Sequence, residues 1–571
     1  MALGYVEPIW SAFERGGLGS YELQPLPQGE RLLAHMPTDP FDGAFEFVNP
    51  DPISQNYGGH RTFSFLDDFY FRVYLLPNSL DFGAIVTTTT REITVWNAYF
   101  DSVTLESIEF AIGEEVALGG DAVPRVMPAL TLKAWPFTVT SDGPPNLEET
   151  ITFTFSTTEV FDVEVTGQRS LLWPFLPNWR EPYRITREFK TDVFTGRSGR
   201  EQRSAVRDTS RKSIEFLITT QGADLRRYRQ IMALWQHRPF IVPDASRSTH
   251  TTSEMDAGEF TVNVETMPLW MQEDSAVVLA AGEQTSLRVI ESIDSNGLLT
   301  FKDTDTFNWP EDTRIYAGVV AKLQEDPRGR RFNNGVQETN LRFLQLPGTE
   351  VEVFNDAILT FNGKELFLGQ PNWGGTVGAD DMHTTDTLDY GHGRILTTSP
   401  VAYSQQMWTG DFLGKSAEEI ESLLHMFERM KGRRGEFYMP TWENDVPLKG
   451  DILSSTLGFR TEGTAIFDAF AADDTHKAMM IQLVDGTRIF KVIDEIITID
   501  DTDGLDTLIN FTEVWDQGYD NDEVEFACWL QCWRFATDAL TAEFVTDEAA
   551  NMRMNFQSLE DLPAEDEESN S

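Results

Sequence analysis

Residue types capable of catalysis or metal binding are plentiful in this chain, but their spacing does not fit the chemistry. The eight histidines, His35, His60, His237, His250, His383, His392, His425 and His476, are scattered without ligand pairs and without an H-E-x-x-H. In ADDMHTTDTLDYGHG, Asp380, Asp381, His383 and Asp386 could hold a cation weakly, but a plain polar loop is the better reading. TGDFLGKS approaches a phosphate-binding loop, yet Thr409 stands where the pattern needs glycine. Its Ser416, which would bind magnesium, is better placed to cap a helix. No G-x-S-x-G occurs, and among 92 acidic residues the closeness of two carboxylates carries no information about glycosidase chemistry. The two cysteines, Cys528 and Cys532, lie in a strand-like run, VEFACWLQCWRF. There they share a face about 13 Å apart, too far for a disulfide, and they read as small buried side chains. No catalytic, cofactor-binding or metal residue is therefore assigned, and the chain reads as a non-enzyme.

Composition narrows the class further. A chain of 571 residues exceeds one hydrophobic core, so several domains are expected. Forty Phe and 14 Trp indicate packed β-layers rather than a disordered chain. No run approaches the roughly 18 apolar residues needed to cross a bilayer, and MALGYVEPIW lacks the pattern of a secretory signal. A soluble protein made in the cytoplasm, without membrane partners, is expected. The net charge of −47 disfavours sequence-independent nucleic-acid binding, which relies on Lys and Arg.

The elements follow from periodicity. Residues 1–40 are rich in Gly and Pro and read as an extended arm. Residues 41–173 alternate short apolar runs (YFRVYLL, LTLKAWPFTVT, TITFTFS) with turn clusters, as an Ig-like β-sandwich does. Pro177-Asn178-Trp179 then recurs as Pro371-Asn372-Trp373, an offset of 194. Leu225, Tyr228, Ile231, Met232 and Trp235 match Ile420, Leu423, Met426, Phe427 and Met430 at an offset of 195, each set forming one helical stripe. Strand entries FIVP at Phe240 and FYMP at Phe437 follow at 197, and RVIESI and KVIDEI at 203. A collinear series with a slowly growing offset is the mark of a duplicated unit with loop insertions. The expected organisation is mainly β with α+β modules: a barrel-plus-helix module at 174–345, a second copy at 346–546, and an acidic tail at 547–571.

One segment departs from the acidic background. Between Arg180 and Arg238 there are 14 basic and 7 acidic residues, with Arg197, Arg200, Arg203, Arg207 and Arg211 recurring every three or four positions. The second copy lacks this charge, so the module does not need it. A docking surface for an acidic neighbour, another copy of the chain included, and a set of internal ion pairs are both consistent with it. Specific nucleic-acid binding is disfavoured because aromatic residues are not interleaved with the arginines.

The stretch EPYRITREFKTDVFTGRSGREQRSAVRDTSRKSIEFLIT, followed by the helix and RPFIVPD, resembles the distal tail and baseplate proteins of siphophages. The second copy, ending in GRRGEFYMPTW, is similar to the same pattern, and the sandwich is similar to segments found beside such modules in virion proteins. The resemblance implies a bacteriophage virion protein of the tail tip, assembled in the host cytoplasm. It would form a ring between the tail tube and the central hub and tape measure proteins, with sandwiches facing outward. Two modules in one chain depart from the usual single-module form and suit a trimer as well as a hexamer. Arg197, Arg200, Arg203, Arg207, Arg211, Trp179 and Trp373 are the interface candidates. A receptor- or carbohydrate-binding tail protein is the alternative.

Overall fold

The computed structural model describes residues 72–559, apart from 114, 121, 141–142, 197–200, 283, 295–296, 334, 348–357, 376, 383–384, 390, 392, 394, 399–404, 472–475 and 502–503. The expected arm at 1–40, the segment up to residue 71 and the acidic end from residue 560 lie outside the described residues. The chain is mainly β, as its short alternating runs predict.

Two sheets built from residues 73–169 share one core. The first orders β1 (Val73–Leu76), β3 (Thr89–Asn97), β7 (Thr131–Val139) and β5 (Val116–Leu118). The second orders β2 (Ser79–Ile85), β9 (Val160–Arg169), β8 (Asn146–Phe155), β4 (Val103–Phe110) and β6 (Arg125–Met127). Period-two alternation in β8 buries Leu147, Ile151, Phe153 and Phe155 against Trp135 and Phe137 of the opposite sheet. Glu149 is the one acid on that inner face, and it accepts hydrogen bonds from the N–H groups of Ile112 and Gly113 at 2.8 and 3.0 Å.

The rest of the chain forms one extended sheet system with helices against it, accompanied by two separate two-stranded hairpins, Thr191–Thr195 with Glu201–Ala205 and Asp386–Asp389 with Ile395–Thr398. Its first half runs β10 (Leu171–Leu172), β11 (Tyr183–Glu188), β12 (Thr191–Thr195), β13 (Glu201–Ala205), β14 (Arg211–Gln221), α1 (Gly222–Leu234), β15 (Phe240–His250), β16 (Thr261–Asn263), β17 (Ala276–Ala281), β18 (Gln284–Ile293), β19 (Leu298–Phe301), β20 (Arg314–Leu323), β21 (Arg328–Arg331) and β22 (Val336–Gln345). After a small strand, β23 (Thr360–Phe361), the second half runs β24 (Lys364–Leu366), β25 (Gly378–Met382), β26 (Asp386–Asp389), β27 (Ile395–Thr398), β28 (Gln405–Gly414), α2 (Ala417–Arg429), β29 (Phe437–Pro440), β30 (Gly458–Thr461), the short α3 (Ala465–Phe470), β31 (Ala478–Leu483), β32 (Arg488–Asp501), β33 (Gly504–Phe511), β34 (Val524–Phe535), β35 (Ala539–Phe544) and β36 (Ala550–Ser558).

Pairing recurs strand for strand. β10 runs parallel to β15, and β24 runs parallel to β29. The antiparallel ladders β11·β14, β12·β13, β14·β22, β15·β20 and β20·β22 are matched by β25·β28, β26·β27, β28·β36, β29·β34 and β34·β36. The outlying sheets β16·β19, β18·β19, β17·β18 and β17·β20 are likewise matched by β30·β33, β32·β33, β31·β32 and β31·β34.

α1 and α2 occur where the apolar stripes predict them, and the short α3 is an addition the stripes did not mark. Ser416 caps α2 by accepting from the Glu419 N–H at 3.2 Å, while the Glu419 carboxylate turns back to the Lys415 N–H at 2.8 Å. The repeated Pro-Asn-Trp word also has one local role. The Asn178 N–H donates to the Leu217 carbonyl at 2.6 Å, and its side-chain oxygen accepts from the Arg180 N–H at 3.1 Å. The Asn372 N–H donates to the Asp411 carbonyl at 2.7 Å, and its side-chain oxygen accepts from the Gly374 N–H at 3.1 Å.

Both ends of the paired region extend past the expected boundaries. β10 lies before residue 174 because it completes the parallel pair with β15. β36 lies within the segment expected as an acidic tail, and it is an inner strand: Ala550, Met552, Met554 and Phe556 are buried between Asn551, Arg553, Asn555 and Gln557. The acid-rich composition of the terminus hid a half-buried alternation nine residues long.

Candidate functional site

The two halves meet edge to edge along a seam. β11 of the first half pairs antiparallel with β35 of the second, from Tyr183 opposite Phe544 to Glu188 opposite Ala539. Beneath it the apolar cores are continuous. Phe189 packs on Phe427 of α2 at 5.8 Å between ring centres, and Phe427 on Phe535 at 5.0 Å.

Charge across the seam is ordered face by face. Arg187 Nη1 lies 2.7 Å from Glu428 Oε1, and Arg247 Nε lies 3.2 Å from Glu421 Oε1, so β11 and β15 both grip α2. Arg184 Nε lies 2.8 Å from Glu543 Oε1. Lys431 bonds Asp208 at 2.8 Å, and Arg534 grips Glu201 through two hydrogen bonds of 2.7 and 2.8 Å. On the β11–β35 and helix faces, the first half supplies the cations and the second the carboxylates. Over the hairpin that sense is partly reversed.

Two carboxylates organise the junction. Asp538 accepts from the Thr191 N–H at 2.8 Å and the Arg433 N–H at 3.0 Å, with the Arg433 guanidinium at 3.1 Å. Burial opposes its ionisation, but these donors hold it below the ordinary carboxylate range. Gly432 must leave room for it: at φ +64° a Cβ there would meet Asp538 Oδ1 at 2.7 Å. Asp244, wholly buried, is bonded by Lys212 Nζ at 2.7 Å and by the Tyr183 hydroxyl at 3.0 Å. Burial again opposes ionisation, and Lys212 and Arg247 outweigh it, so Asp244 is held far below the usual range. Burial and the Asp244 charge push the Tyr183 hydroxyl well above its ordinary value.

The interface candidates divide. Arg197 and Arg200 lie outside the described residues. Arg203 bonds Glu436 of the second half and lies 3.8 Å from Glu201. Arg207 lies 3.7 Å from Glu188, and Arg211 is exposed at the start of β14. Trp179, 37% exposed, leans on Tyr183, and Trp373, 51% exposed, leans on Trp408. The arginine-rich segment therefore has an acidic neighbour, and for Arg203 it is the second half of the same chain. Sequence reasoning missed the residues that complete the seam: Arg184, Arg187, Arg247, Glu421, Glu428, Glu543 and Asp538. Glu421 and Glu428 lie a helical heptad apart on α2, and that spacing was the available signal.

Asp380 and Asp381 stand exposed on β25, and His383 lies outside the described residues. Among the described residues no group of three His, Cys, Asp or Glu could hold a metal ion. No helix among them is long and apolar enough to cross a membrane. No protein-family model and no curated protein matches the chain. Among solved structures, the secreted serine protease VesC from Vibrio cholerae aligns at 10% identity with a TM-score of 0.16. The alignment covers 50% of this chain and 49% of that one. A likeness of that size carries no conclusion about fold or activity.

Proposed function

We propose that this chain is a structural subunit of a phage tail tip or baseplate, in which one folding unit is written twice and supplies two adjacent positions of a ring. The observation that carries the reading is the β11·β35 seam, which joins two halves with matched strand pairings edge to edge. Edge pairing of this kind satisfies backbone donors and acceptors that would otherwise invite uncontrolled aggregation. The sandwich, read as an Ig-like domain, faces outward as an attachment platform for peripheral parts. The resemblance of the arginine-rich hairpin, helix and aromatic-proline strand entry to siphophage distal tail proteins supplies the setting, between tail tube and hub. Three chains then present six similar units toward the tube while keeping threefold symmetry toward the hub. No chemistry is asked of the chain in this role.

Particles purified by density gradient and labelled with an antibody against the chain test the assignment. Label at the tail tip is expected, and particles lacking the chain would remove the reading. Native mass measurement of the purified protein tests the stoichiometry: three chains are expected, and six or more overturn the trimer.

A further inference from the structure

The seam uses one edge of each half, and the matched edges are left over. β11 corresponds to β25, and β35 corresponds to β21. Among the described residues β25 pairs only with β28, and β21 pairs only with β22. The chain thus carries one joined seam and the two open sides of a second.

The open sides complement each other in charge. β21 reads Arg328-Gly329-Arg330-Arg331 and is exposed along its whole length. β25 reads Gly378-Ala379-Asp380-Asp381-Met382, with Asp380 and Asp381 exposed. The flanking helix follows suit. Where α2 turns Glu421 and Leu424 into the joined seam, α1 has Arg226 and Arg229, both exposed. Like the helix and strand faces of the joined seam, the first half is basic and the second acidic, so a first half meets a second half and repels another first half.

The ladders also fix a register. The matching Pro-Asn-Trp turns set Leu217 equivalent to Asp411. The adjoining pairings then set Ile185 equivalent to Ala379 and Gly329 equivalent to Ala542. Ile185 is opposite Ala542, and Thr186 is opposite Thr541. Carried to the open edges, Ala379 lies opposite Gly329 and Asp380 opposite Arg328.

We infer that copies of this chain join head to tail by antiparallel pairing of β21 on one copy with β25 on the next, Asp380 facing Arg328. The contact is heterologous, and repetition with a closing rotation makes a ring in which internal and intermolecular seams alternate. This rests on the reading of the chain as a ring subunit and specifies how the ring closes.

Cysteine pairing in the full-length protein tests it. Arg328→Cys and Asp380→Cys are exposed substitutions that remove no hydrogen bond or ion pair among the described residues, and directly opposed residues bring their Cβ atoms within about 5 Å. Mixed under mild oxidation, the two single variants should give one covalent dimer band that reductant abolishes, while each alone should give none. The variant carrying both should give a ladder that ends at the native ring size. Three results overturn the inference in different ways. A dimer from Arg328→Cys alone indicates a symmetric contact. An unchanged ring mass with no cross-link leaves the ring reading standing and removes only this closure. A monomeric mass for the unsubstituted protein removes both.

Discussion

Arg187 and Glu428 are 241 positions apart in sequence, yet their side chains meet at 2.7 Å with only 3% and 10% of their surfaces open to solvent. The Ser210 hydroxyl donates to the same Glu428 oxygen. The contact fastens β11 to α2 and makes the seam a closed electrostatic joint rather than a surface pair.

Removing one partner of such a joint leaves the other charge buried. Glu428→Ala should destabilise the chain by about 3–5 kcal/mol, read as a lowered urea midpoint. Arg187→Met combined with Glu428→Leu should recover most of that loss, because a buried pair is often replaceable by apolar groups of similar size. A single variant with an unshifted midpoint would contradict the burial described.

Asp244 gives the pH dependence. Its folded pKa is depressed, so its contribution is present above the unfolded value and lost only as pH falls through the folded one. The stability gap between the native chain and the Lys212→Met/Asp244→Asn double variant should therefore persist from pH 7 down through about pH 4, where ordinary carboxylates protonate. Chemical denaturation across that range checks it, and a gap that closes near pH 5 would contradict it.

The two Pro-Asn-Trp turns make paired predictions. Asn178→Ala and Asn372→Ala should each cost on the order of 1–2 kcal/mol, the loss of a turn-forming side chain. Asn178 should cost the more, because its amide also donates to the Thr219 hydroxyl at 2.7 Å. Thermal unfolding of the two variants side by side decides the order.

Cys528 is fully buried, and burial pushes its thiol up to about 12. Thiolate is therefore scarce at pH 8 and the group should not react with a disulfide reagent in the native chain. Release of the same signal on adding urea would report unfolding.

Much of this architecture was legible in the residues. The helices α1 and α2 were marked by apolar stripes at three- and four-residue spacing, and the cap at Ser416 by its own short pattern. The β character followed from alternation, as in β8. Residues 550–558 were hidden because a strongly acidic ending masked four alternating apolar side chains. The seam was only half legible. A surplus of arginine pointed to an acidic neighbour, but no local pattern says that Glu428 is that neighbour, since contacts separated by hundreds of residues are set by how sheets close.

Because β11 and β35 belong to one polypeptide, their association does not depend on the concentration of the protein. A seam between separate subunits dissolves on dilution, whereas a tether keeps its partner at a high effective concentration. Translation itself thus delivers the halves in equal number and already matched, and only the joints between chains remain to be found by diffusion.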